Sequence, residues 1–77
     1  MNGEIVMLKI SYKKLFKKMI DLDLNNTELM EKTNISRSTF YKMKNGENIT
    51  TDVLLRICEG LNCNLCEIME LVKDEND

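Results

Sequence analysis

Apolar positions in this chain of 77 residues change their repeat along its length. Ile5, Val6, Met7, Leu8 and Ile10 come as a near-continuous run, which favours an extended strand. Val6, Leu8 and Ile10 would share one face of it, and Ile5, Met7 and Lys9 the other. A lone strand is not stable by itself, so this segment either pairs with its copy in a second chain or lies over a helical core. From Ser11 the period lengthens. Tyr12, Leu15, Phe16, Met19 and Ile20 recur at spacings of three and four and predict a helix from the Ser11 cap to about Leu22. Lys13, Lys14, Lys17 and Lys18 fill its other side, a solvated face from which one or two lysines reach for phosphate. Asp21-Leu22-Asp23-Leu24 links to the next element.

The stretch Asn25 to Gly46 predicts two short helices joined by a tight turn. Asn25 is a good N-cap, and Glu28 three residues on completes a capping box. Leu29 and Met30 give the first helix its apolar side. Thr33-Asn34-Ile35-Ser36 breaks it: Asn34 tolerates a left-handed backbone, Ile35 is an apolar plug, and Ser36 caps the second helix. That helix sets Arg37, Ser38, Thr39, Tyr41, Lys42 and Lys44 around the apolar pair Phe40 and Met43, and Asn45-Gly46 stops it.

Beyond the Glu47-Asn48-Ile49 loop, Thr50 or Thr51 caps a fourth helix with Asp52 in its first turn. Val53, Leu54, Ile57, Cys58 and Leu61 form its buried stripe, and Gly60 weakens its end. Asn64 and Glu67 form a second capping box, expected to open a fifth helix. Its apolar residues, Leu65, Ile68, Met69, Leu71 and Val72, exceed what a short terminal helix needs against its own domain. The excess predicts a dimer interface there. The expected division is an extended segment 1–10, a helical domain 11–72 and an acidic tail 73–77.

Charge sharpens the picture. The net charge is −2, but residues 1–50 hold nine Lys/Arg against six Asp/Glu, and residues 51–77 hold two against seven. The basic side chains therefore travel with the central helix pair. Catalysis is poorly supplied: there is no His, no serine set in a nucleophile elbow and no Gly-rich phosphate loop. The expectation is a protein that is not an enzyme and uses no cofactor. Cys63-Asn64-Leu65-Cys66 has CxxC spacing, but only Cys58 remains as a further ligand where a structural zinc site wants four. Cys58 and Cys63 read more simply as small core residues, and no metal is expected. Three cysteines, an odd number, argue against a disulfide framework. The run Ile5 to Ile10 is too short for a signal segment or a membrane span. The expected location is the reducing cytoplasm, with no membrane partner and no small-molecule substrate.

Leu29, Ile35-Ser36, Phe40, Asn45-Gly46 and the later run TTDVLLRICEGLNCNLCEIMEL together resemble the helix-turn-helix of the Cro and phage-repressor (XRE-type) family, over roughly Ser11 to Val72. Asn26 stands where Gln is common in that family, Met30 where Ala is, and Asn34 where Gly is. The resemblance implies an all-α, five-helix repressor-like domain, with the N-terminal strand as an addition. It also implies a sequence-specific regulator of transcription that inserts helix 36–45 into the major groove of double-stranded DNA. In that reading Arg37, Ser38, Thr39, Tyr41 and Lys42 face the bases. Arg37 is suited to a bidentate guanine contact, worth roughly 1–3 kcal/mol of discrimination. Asn25, Asn26 and Thr27 at the first helix start, with Lys44 and Asn45 at the far end of the second, serve the phosphates. One such domain makes few contacts, so a homodimer on two half-sites is expected. The rival reading is a protein-interaction module, an antitoxin or adaptor that uses the same fold to hold a protein partner.

Overall fold

Among the described residues each of the four α-helices is followed within two residues by one with a left-handed backbone, and three of those four residues are not glycine. Asp23 (φ 58°), Asn34 (φ 57°) and Asn62 (φ 52°) join Gly46 (φ 73°) in that region. Short Asx side chains tolerate it best among non-glycine residues, so a chain with three glycines still turns sharply four times. A computed structural model describes residues 7–74. Ile5 and Val6 of the expected strand, and residues 75–77 of the expected tail, lie outside them. The order is β1 (Leu8–Ser11), α1 (Lys13–Asp21), α2 (Asn26–Thr33), α3 (Arg37–Lys44), α4 (Thr51–Leu61), a single 3-10 turn (Leu65–Glu67) and β2 (Glu70–Lys73).

The all-α, five-helix expectation is thus corrected: there are four α-helices and a two-stranded antiparallel sheet among the described residues. The expected fifth helix lasts one 3-10 turn and then extends into β2, which pairs with β1 in the register Leu8↔Lys73, Lys9↔Val72, Ile10↔Leu71, Ser11↔Glu70. The N-terminal strand is real over Leu8–Ser11, and its partner lies in the same chain. A short apolar run such as Ile68 to Val72 fits either period, and pairing with β1 decides the matter. Ile10 packs against the core and anchors the sheet to it.

The core is built from all four helices: Tyr12, Leu15, Met19, Leu29, Met30, Ile35, Phe40, Met43, Ile57 and Leu61, closed by Ile68 from below the 3-10 turn. Phe40 and Ile68 are fully buried. Truncating a buried Phe of this kind costs about 3–5 kcal/mol, a large share of a small domain's stability. Ile20, expected in the α1 stripe, is instead 78% exposed. Burial also pushes the Tyr12 phenol above its ordinary range, partly offset by the backbone of Ile49. The C-terminal segment is held down by α1. Lys14 Nζ donates to the Cys66 carbonyl at 3.1 Å, and Lys18 Nζ meets Glu67 Oε1 at 3.3 Å. Two of the four α1 lysines are thereby committed within the molecule.

Candidate nucleic-acid interface

The caps expected at Asn25 and Ser36 form, whereas the Ser11 cap does not: Ser11 ends β1, and Tyr12 takes the N-cap position of α1 without a side-chain cap bond. The Asn25 side chain accepts from the Glu28 N–H at 2.8 Å, and Glu28 Oε1 accepts from the Asn25 N–H at 2.9 Å. Asn34 turns the chain out of α2, and Ile35 follows into the core. Ser36 Oγ then accepts from the Thr39 N–H at 3.2 Å and donates to Thr39 Oγ1 at 3.0 Å. Such a cap is worth about 1 kcal/mol and sets where α3 starts. At its other end the Glu47 N–H reaches the Lys42 carbonyl at 2.9 Å and the Gly46 N–H the Met43 carbonyl at 3.0 Å, a paired closure around left-handed Gly46.

Between these ends Phe40 and Met43 are the buried side of α3. Arg37, Ser38, Tyr41, Lys42, Lys44 and Asn45 are exposed and Thr39 is half-buried. The opening turn of α3 therefore faces solvent. Ser38 Oγ also lies 3.2 Å from Ser36 Oγ, so cap and candidate reader share hydrogen bonding. The Lys44 ammonium sits 4.7 Å from the Phe16 ring centroid and 5.7 Å from that of Phe40. Its position is fixed by a cation–π contact rather than by a carboxylate. Of the three residues at the α2 start, the N–H of Asn25 is already taken by Glu28. Asn26 is half-buried and Thr27 exposed, and their first-turn N–H groups are the ones with no partner inside a helix.

Two contributors escaped the sequence reading. Arg56 on α4 donates from Nη1 to the Asn34 carbonyl at 3.2 Å while Nη2 pairs with Asp52 at 2.9 Å. An i, i+4 pair such as Asp52 and Arg56 looks like surface decoration in a sequence, and nothing local says that it reaches the turn. Second, a notch of about 300 Å³ is lined by Thr39, Lys42, Asn48, Ile49, Thr50 and Val53. It brings Asn48 and Thr50, from the loop after α3, beside two expected readers. The five expected dimer residues are not gathered on one face. Ile68 lies wholly inside the molecule and Met69 and Val72 are half-buried, whereas Leu65 and Leu71 are 46% and 62% exposed.

A Cro/C1-type helix-turn-helix DNA-binding domain model matches residues 14–74. The chain belongs to that family. The crystal structure of the transcriptional regulator VanUg, Form II, is similar to it at a TM-score of 0.84 and 40% identity, over 96% of this chain and 99% of that one. No curated protein matches. The family match covers both helices of the motif, the α4 scaffold and β2, and begins in α1, after β1. Among the described residues no helix is long and apolar enough to cross a membrane.

Proposed function

We propose that this DNA-binding domain serves a sequence-specific transcriptional regulator, a repressor acting in the cytoplasm, which reads the major groove with α3. Residues 11–72 are its DNA-binding unit, flanked by 1–10 and 73–77. The observation that carries the reading is the exposure of Arg37 and Ser38 on the first turn of a helix held from beneath by Phe40 and Met43. N-terminal residues of such a helix are those that meet base edges. Arg37, Ser38, Thr39, Tyr41 and Lys42 form the reading set, while Lys44, Asn45 and the α2 start at Asn25, Asn26 and Thr27 contact backbone. The likeness to a solved transcriptional regulator over nearly the whole of both chains supports the same role.

The protein works as a homodimer on paired half-sites. Leu8 and Leu71, 56% and 62% exposed on the two-stranded sheet, supply the surface that joins the copies. Selection of bound sites from a random duplex pool gives the operator. On it, Arg37→Ala relaxes preference at one base pair, whereas Lys44→Ala weakens every site alike and lowers the salt slope by about one. Equal behaviour of the two variants would overturn the division into reader and anchor. A steep salt dependence with sequence preference separates this reading from the adaptor reading, which predicts neither.

A further inference from the structure

The closure of α4 has a chemistry that DNA reading does not use. The Cys63 N–H donates to the Cys58 carbonyl at 3.0 Å, and the Asn62 N–H to that of Glu59 at 3.3 Å, around left-handed Asn62. In this closure the residue after the left-handed one and the residue five before it bring their side chains into contact, usually as an apolar pair. Here both are cysteines. Both side chains are half-buried, free and packed against the core. The third thiol, Cys66, is exposed on the 3-10 turn. Among the described residues no three Cys, Asp, Glu or His side chains are arranged to hold a metal, which leaves two-thiol chemistry.

We propose that Cys58 and Cys63 are a redox pair, closed to an intrachain disulfide by peroxide while the fold stays intact. Cys63, as thiolate, attacks one peroxide oxygen; the O–O bond breaks, giving a sulfenic acid and, after proton uptake, water. The Cys58 sulfur then attacks the sulfenic sulfur, and the displaced hydroxide leaves as water with the Cys58 proton. Two thiols lose two electrons, and one peroxide becomes two waters. Burial, and then the neighbouring Cys63 thiol, push the Cys58 thiol up, which fits its place as the second, resolving sulfur. The 3.0 Å bond from the Cys63 N–H to the Cys58 carbonyl holds the two backbones side by side, the proximity that a bridge requires.

The link would fasten the end of α4, where Gly60 lies against the last residues of α2. The inference concerns the scaffold and stands whether or not α3 reads DNA. The test treats the full-length protein with hydrogen peroxide at low molar excess, alkylates it, and maps the peptide Ile57–Lys73 with further cleavage after Glu59. The expected result is one alkylated thiol at Cys66, a Cys58–Cys63 link, and a thermal midpoint that rises by a few degrees and returns with dithiothreitol. Cys66→Ser should leave the link intact and Cys63→Ser abolish it, so the test does not depend on the folding of a Cys58 variant. Three alkylated thiols, a link through Cys66 or between chains, or a lowered midpoint would overturn the proposal.

Discussion

Arg56 reaches from α4 to the carbonyl of Asn34, the residue whose left-handed backbone separates α2 from α3. The contact links the turn that sets the angle of the reading helix to a helix that lies outside the motif. It spans 22 residues of sequence, and Asp52 holds the guanidinium in place at 2.9 Å. Arg56→Ala removes both contacts. Because the side chain is about half exposed, the expected loss is modest, about 0.5–1.5 kcal/mol in a urea titration. Arg56→Lys should not restore it, since a single ammonium cannot satisfy Asp52 and the carbonyl with the same fork. A lysine variant as stable as wild type would show that the two contacts do not act together.

Gly60 permits a close approach between α4 and α2. A Cβ added there would lie 2.6 Å from the Lys32 carbonyl oxygen and 3.0 Å from Thr33 Cγ2. The first of these is backbone and cannot step aside. On propensity alone, Gly to Ala inside a helix gains about 1 kcal/mol, so the sign of the change discriminates between the two effects. Gly60→Ala is expected to lose about 1–3 kcal/mol net, as overpacking does. A stabilised variant in chemical denaturation would mean that the helices part without cost.

Much of the motif was legible because its determinants are local. The Asn25, Ser36 and Thr50 caps, the Asn34 turn and the Gly46 stop each depend on residues within a few positions of one another, and all are present. The errors share one cause. Glu70–Lys73 becomes a strand because Leu8–Ser11 lies beside it, and the paired positions are 59 to 65 residues apart in the chain. The Asn64–Glu67 signal was sound, with the Asn64 N–H donating to Glu67 Oε2 at 2.8 Å, but it opens one 3-10 turn rather than a helix. Ile20 illustrates the same limit on a smaller scale. The pairs Leu15–Phe16 and Met19–Ile20 fit the period equally well, and only packing selects Leu15 and Met19. Phe16 keeps the company of Phe40 and Lys44, and Ile20 is left in solvent.

Asn34 tests how far the turn depends on its conformation. With φ at 57° and ψ at 43°, the residue sits where a Cβ is costly. Asn34→Ala is expected to destabilise the fold by about 1–2 kcal/mol. Asn34→Gly should fall within about 0.5 kcal/mol of wild type, because glycine adopts this region freely. Both variants keep the carbonyl that Arg56 uses, so the difference between their denaturation midpoints reports backbone conformation alone. Similar midpoints for the two would refute that assignment.

Glu67 gives the fold an acid-side dependence. The Asn64 backbone N–H, and then Lys18, hold its carboxyl below the ordinary value of 4.5. A carboxylate with a depressed folded-state value favours the fold when ionised. Its contribution is therefore fully present above about pH 4.5 and is lost as pH falls through the lower folded-state value. Glu67→Gln keeps an oxygen for the Asn64 N–H but removes the charge that meets Lys18 at 3.3 Å. Thermal midpoints measured from pH 3 to 7 should show wild type above the variant at neutral pH, with the gap closing as the pH drops below 4.5. A gap that stays constant across the range would place the stabilisation in the shape of the side chain rather than in its ionisation.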